Sequence, residues 1–244
     1  MRRRLATVVL FAATLALHAA PAQARPSLDA TRLAQLGQYE VLVFGDPHER
    51  GIERGKAIGV IDATPEEVFR VVSDYSKWKD YLPRVRGSRV VSASGRITLV
   101  ELVAELPWPA GRREVIARYS AERLPGEIYR IRFEMVHGVG KDEMREYVGS
   151  IYIEPWTAGP SPTKTAITYE IVADPDVLAA SMAQLNRSIR RSASGFVHAL
   201  RQRINDLHKF GYLRPLPPTP PARPTAPLAA PLNPRDLKAS ADTR

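Results

Sequence analysis

The stretch Asp174–Leu207, DPDVLAASMAQLNRSIRRSASGFVHALRQRINDL, decides how this chain is read. Leu178, Met182, Leu185, Ile189, Ala193, Phe196, Leu200 and Leu207 recur at helical spacings and form one apolar stripe. Asp174, Pro175 and Asp176 offer an N-cap, a first-turn proline and an acid near the positive end of the helix dipole, so the helix is predicted to start there. At about 33 residues it would run roughly 50 Å. A helix that long with a single apolar stripe needs a broad apolar surface to lie on.

That surface precedes it. From Arg84 to Ala173 the period changes to two, which predicts strands near 85–93, 96–106, 113–122, 127–137, 144–155 and 164–173. Ser94-Gly95, Pro125-Gly126, Gly138 to Gly140 and Gly159-Pro160-Ser161-Pro162 separate them, and such short connections make an antiparallel meander. Tyr129, Ile131, Phe133 and Met135 point one way while Arg130, Arg132 and Glu134 point the other. Thr165, Ile167, Tyr169 and Ile171 oppose Ala166, Thr168 and Glu170 in the same manner. One face of the sheet therefore wants covering, and the helical stripe matches it.

Upstream, Ile52, Ala57-Ile58 and Val60-Ile61 read as a strand ending at Asp62-Ala63-Thr64-Pro65. Thr64 then supplies a capping hydroxyl, Pro65 a first-turn proline and Glu66-Glu67 acids for the positive dipole end, with Val68, Phe69, Val71 and Val72 on one side of the helix. Trp78, Tyr81 and Leu82 predict a second short helix, stopped by Pro83. Leu28–Leu36 and Tyr39–Phe44 could add a short helix and a strand before all of this. The order is that of an α+β helix-grip fold: a curved antiparallel sheet of about seven strands wrapped on a long C-terminal helix, with two short helices after the first strand.

The residues also resemble a family. VIDATPEEVF, Val60–Phe69, followed by Asp74-Tyr75-Ser76-Lys77-Trp78 and Tyr81-Leu82-Pro83, looks like the opening of START-like proteins, including the polyketide cyclase/dehydrase and coenzyme Q-binding branches. Leu106-Pro107-Trp108-Pro109 with Arg112-Arg113-Glu114-Val115 is similar to the segment of START lipid-transfer domains where a Pro-Trp-Pro turn leads into an arginine-containing strand. Those domains usually read Asp-Arg-Asp where this chain has Gly111-Arg112-Arg113-Glu114, so a particular cavity salt bridge does not carry over. The resemblance covers roughly residues 50 to 209. It implies a cup between sheet and helix for lipids, quinones, sterols or polyketides, usually without a cofactor.

Around that domain, 51–209, the chain divides by composition. Residues 1–24 have a basic start, an apolar run and Ala22-Gln23-Ala24, which is the pattern of a cleaved signal peptide and predicts export to a periplasmic or extracellular space. Residues 25–50 form an N-terminal extension, and 210–244 a tail rich in Pro and Ala that is expected to be disordered. There is no cysteine, which excludes disulfides, thiolate metal sites and cysteine nucleophiles. Of the net charge of +9, Arg2–Arg4 carry +3 and the segment from Phe210 onward another +3. The folded part is left with a diffuse surplus, which points away from nucleic acid.

His48, His137, His198 and His208 fall at no metal-ligand spacing, and no G-x-S-x-G elbow, P-loop or G-x-G-x-x-G is completed. Glu101 and Glu105 share one side of a strand and could divide acid and base roles if buried; the competing reading puts them on the solvent face. Arg113, if inward with Val115, Ala117 and Tyr119, needs an acidic partner or a ligand head group. No metal and no cofactor is implied.

Candidate ligand contacts are therefore Trp78, Tyr81, Trp108, Arg113, Tyr129, Phe133, Met135, Tyr147, Tyr169, Met182, Leu185 and Ile189. The expected function is an exported binding or transfer protein for a lipid-like or other apolar small molecule, in transient contact with a membrane. The alternative is an enzyme of the cyclase or aromatase type acting on an enclosed hydrophobic substrate.

Overall fold

The computed structural model describes residues 30–106, 111–139, 144–158, 163–176 and 182–213; the predicted signal peptide, Trp108 and the stretch from Arg214 onward lie outside the described residues. After helix α1 (Ala30–Gly37) and strand β1 (Leu42–Pro47) comes β2 (Glu53–Ile61), on which the fold closes. Helices α2 (Pro65–Ser73) and α3 (Trp78–Tyr81) follow. Next come β3 (Val85–Ser94), β4 (Ile97–Glu105), β5 (Arg112–Leu124), β6 (Ile128–Val139), β7 (Glu146–Pro155), β8 (Thr165–Asp174) and α4 (Met182–Lys209).

The sheet order is β1-β2-β8-β7-β6-β5-β4-β3, antiparallel throughout. The meander β3 to β8 arises from tight turns such as Ser94-Gly95 and Pro125-Gly126, with Gly95 and Gly126 at positive φ of 58° and 80°. β8 then returns beside β2, with Tyr169 opposite Ala57 and Ile167 opposite Gly59. β2 to β8 account for the seven expected strands; β1 pairs Leu42–Pro47 with β2 and adds an eighth.

The capping chemistry at Thr64 is realised in full. Its hydroxyl accepts from the Glu67 backbone N–H at 3.3 Å, and the Glu67 carboxylate accepts from the Thr64 backbone N–H at 2.8 Å. Val68, Val71 and Val72 turn inward from α2 and are buried. Phe69 lays its ring on Tyr129 with centroids 4.5 Å apart, so α2 fills one end of the cup.

α4 lies across β2 and β8 with Leu185, Ile189, Ala193, Phe196, Val197, Leu200 and Ile204 buried. Two glycines of β2 let it come close. A β-carbon on Gly55 would stand 2.7 Å from Ile189 Cγ2, and one on Gly59 2.5 Å from Val197 Cγ1.

The helix does not start at Pro175: Asp174 ends β8 opposite Glu146, and Asp176 has φ of 56°, which no right-handed helix admits. The Asp174 carboxylate accepts from the Asp176 N–H at 2.9 Å and pairs with Arg50, 124 residues upstream. A turn motif with the composition of an N-cap has been drawn into the ladder by partners distant in sequence. The described helix of 28 residues spans roughly 42 Å, still enough to cross the sheet.

Candidate ligand-binding cavity

Inside the cup, a wall of rings separates the filled end from the rest. Tyr75 and Tyr119 lie 4.6 Å apart, Tyr119 and Phe133 5.3 Å, Phe133 and Tyr147 5.0 Å, and Tyr169 and Phe196 4.1 Å. Trp78 meets Tyr119 edge-on at 5.3 Å, and its indole N–H donates to the Val72 carbonyl at 2.9 Å, so the ring's only polar group is satisfied away from the cup.

Beyond the wall, between α4 and strands β4, β5, β7 and β8, lies a cavity of about 100 Å³. Trp78, Tyr147, Tyr169 and Phe196 form its floor; Leu102, Val115 and Ile171 its sheet side; Leu185, Ser188, Ile189 and Ser192 its helix side. Leu82, Pro83, Arg84, Val85, Ala104, Leu106, Arg113, Met144 and Ala173 complete it. Among the described residues, no histidine and no carboxylate lines it.

Two phenols face this space, those of Tyr147 and Tyr169. Behind them the Tyr119 hydroxyl lies 3.2 Å from that of Tyr147, and burial pushes the Tyr147 pKa up to about 12. Burial also raises Tyr169 and Tyr119 well above the ordinary phenol value. These groups are therefore hydrogen-bond donors in the neutral range and not bases. Arg113 sits on the inward register of β5, opposite Ala104 and in line with the buried Val115, Ala117 and Tyr119.

The cavity thus gathers Trp78, Arg113, Tyr147, Tyr169, Leu185 and Ile189 from the sequence-derived candidates. Tyr81, Tyr129, Phe133, Met135 and Met182 are not in its lining. Tyr129 is taken up by Phe69. Phe133 stacks behind Tyr119 and Tyr147 in the space that Gly149 leaves, where a β-carbon would meet its Cζ at 2.5 Å. The Tyr81 hydroxyl points to the Val71 carbonyl at 3.5 Å, and Met135 and Met182 pack on the margin of the core.

The other groups weighed as chemistry are engaged elsewhere. Glu101 pairs with Arg89 and Glu105 with Arg86, each at 2.5 Å on the solvent side, so they are not a buried acid–base couple. His48 faces Glu146 at 3.1 Å and His208 faces Glu67 at 3.3 Å. Among the described residues no cluster of three or more His, Asp or Glu converges as metal ligands. A wider recess of about 1060 Å³ lies over the outer face of the sheet; of its lining charges Arg118 pairs with Glu134, and Arg130 pairs with Glu122 beside it.

A family model described as polyketide cyclase/dehydrase and lipid transport matches residues 59–205. The chain belongs to this family. The matched segment begins at Gly59 of β2 and ends within α4, so it takes in the whole cavity. A search of curated protein sequences returned no match.

Solved structures share the fold. A STAR-related lipid transfer protein from Xanthomonas axonopodis is 19% identical, with a TM-score of 0.58 over 68% of this chain and 93% of its own. Human StAR-related lipid transfer protein 5 is 16% identical, with a TM-score of 0.56 over 69% and 83%. The Zhui aromatase/cyclase from Streptomyces sp. R1128 is 11% identical, with a TM-score of 0.50 over 69% and 96%. At these identities the likeness is one of architecture, a family member's sheet gripping a terminal helix.

Proposed function

We propose that this protein binds a lipid-like or other apolar small molecule between the sheet and α4 and carries it through an exported, aqueous compartment. The observation that carries the reading is the cavity itself: an aromatic floor and aliphatic walls with hydroxyls and, among the described residues, no carboxylate or imidazole in its lining. Family membership supports the same class of cargo, because the family's description joins lipid transport to cyclase chemistry. Residues 1–24 support export through their basic, apolar and small-residue pattern.

As formed, about 100 Å³ is small beside the roughly 300–1,000 Å³ of ordinary ligand pockets. Uptake therefore involves widening of the cup, with α4 shifting on its glycine seats. The cyclase or aromatase alternative is supported by Tyr147, Tyr169 and Arg113 sharing one cavity, where protonated phenols and a guanidinium could orient a polyketide carbonyl.

A vesicle assay tests the first reading. Movement of a fluorescent acyl lipid from donor to acceptor vesicles is expected to accelerate in proportion to added protein. Unchanged transfer, with no lipid retained on the protein, would overturn it.

A further inference from the structure

His48 to Glu53 run from the end of β1 into β2, ahead of the segment that the family model matches, and hold partners 98 to 137 residues further along the chain. His48 faces Glu146, at the start of β7, at 3.1 Å, and Arg50 pairs with Asp174, at the end of β8. Asn186, in the first turns of α4, donates from its side-chain amide to the Gly51 carbonyl at 2.9 Å and accepts from the Glu53 N–H at 3.0 Å. One turn on, Arg190 pairs with the Glu53 carboxylate. Gly45 of β1 leaves the room for this pair, since a β-carbon there would collide with that carboxylate. Ile52 is buried and pins the segment to the core.

The partners of this strap are the chain neighbours of the cavity's lining. Leu185 and Ile189 border the cavity, and Asn186 and Arg190 follow them; Ala173 borders it, and Asp174 follows; Met144 borders it, and Glu146 stands two residues on. The strap therefore ties the first turns of α4 to the ends of β7 and β8 beside the cavity. Its polar links are hydrogen bonds and ion pairs at partly exposed positions, individually modest and able to break without unfolding the core. Arg50 and Gly51 take φ of 55° and 75° to make them, and at Arg50 this is the left-handed region that an arginine adopts only when its surroundings hold it there.

We infer that residues 48–53 are a latch on the cavity: they hold the start of α4 against β7 and β8 at the small volume of about 100 Å³, and cargo enters when the contacts of Asn186 and Arg190 with the strap let go. This rests on the reading of the cavity as an apolar-ligand site and names the contacts that set how fast it loads. A latch of this kind governs the rate of uptake, because the strap touches α4 and the strand ends and not the apolar lining that receives the cargo.

The chain has no cysteine, so Glu53→Cys with Arg190→Cys supplies the only two thiols, which bis-maleimidoethane can join. Uptake of N-phenyl-1-naphthylamine, a neutral probe that fluoresces in apolar surroundings, is followed by stopped flow. The linked protein is expected to take up the probe at least about tenfold more slowly than the same variant before linking. Asn186→Ala removes two contacts of the strap without touching the cavity lining, and is expected to take up the probe roughly fivefold or more faster than the wild-type protein. Equal rates before and after linking, or an unchanged rate in an Asn186→Ala protein that circular dichroism shows to be folded, would overturn the latch and leave the apolar site standing. If the wild-type protein takes up no probe at all, the apolar site fails and the latch with it.

Discussion

Gly59 of β2 lies directly under Val197 of α4, so near that a β-carbon on the glycine would meet the valine's Cγ1 at 2.5 Å. Gly55 bears the same relation to Ile189 one helical segment earlier, at 2.7 Å. The grip of helix on sheet is thus set by two residues that have no side chain, which brings backbone to within reach of branched side chains and seals one wall of the cup. Gly59→Val is expected to destabilise the fold by about 1–3 kcal/mol, the usual cost of overpacking, in urea unfolding. Gly37→Ala, where nothing lies within 4 Å, is expected to change little. Equal effects would refute the seating.

Tyr119 and Tyr147 share one hydrogen bond in the heart of the aromatic wall, and Tyr119 is fully buried. Tyr147→Phe leaves the Tyr119 hydroxyl without its partner and is expected to cost about 1–3 kcal/mol. Tyr119→Phe with Tyr147→Phe is expected to cost less than the two single changes added together. Strict additivity in the double-mutant cycle would show that the hydroxyls are not coupled.

The buried phenols also give the fold an alkaline limit. Tyr147 is raised to about 12 by burial, and Tyr169 and Tyr119 are raised in the same direction by the same cause. In the unfolded chain these groups ionise near pH 10, so their contribution is intact below about pH 10 and is lost as pH climbs from there through the folded values. Thermal unfolding between pH 8 and about 12 is expected to show a falling Tm above about pH 10, weakened in Tyr147→Phe. A flat profile would contradict the burial of ionisable hydroxyls.

Much of this architecture was legible in the chain, for a physical reason. Leu185, Ile189, Phe196 and Leu200 are buried on one side of α4, and Tyr129, Ile131 and Phe133 on one side of β6, so each element advertises a single apolar face with its own period. Arg113 was legible by the same rule, since it shares the inward register of Val115 and Ala117. Periodicity says which way a side chain points but not whether a neighbour already fills the space before it. Tyr129 and Phe133 point inward and are consumed by Phe69 and by the ring stack, whereas Leu102, Met144 and Ser188 border the cavity.

Arg84 and the start of α4 show a different limit. Arg84 follows Pro83 and takes a left-handed backbone for which its own residue type gives no signal. Asp174-Pro175-Asp176 has the composition of a helix start, yet Asp174 is held by Glu146 across the ladder and by Arg50. Contacts far apart in sequence decide both positions, and no local pattern carries them.

We propose that the space between sheet and α4 holds an apolar cargo. Native mass spectrometry of the protein purified from its own cells tests it most directly, with Ala104→Phe, which projects a ring into the cavity, as the comparison. A bound species that organic solvent extracts from the wild-type protein and that Ala104→Phe lacks is the predicted result. An unliganded mass in every wild-type preparation would contradict the account.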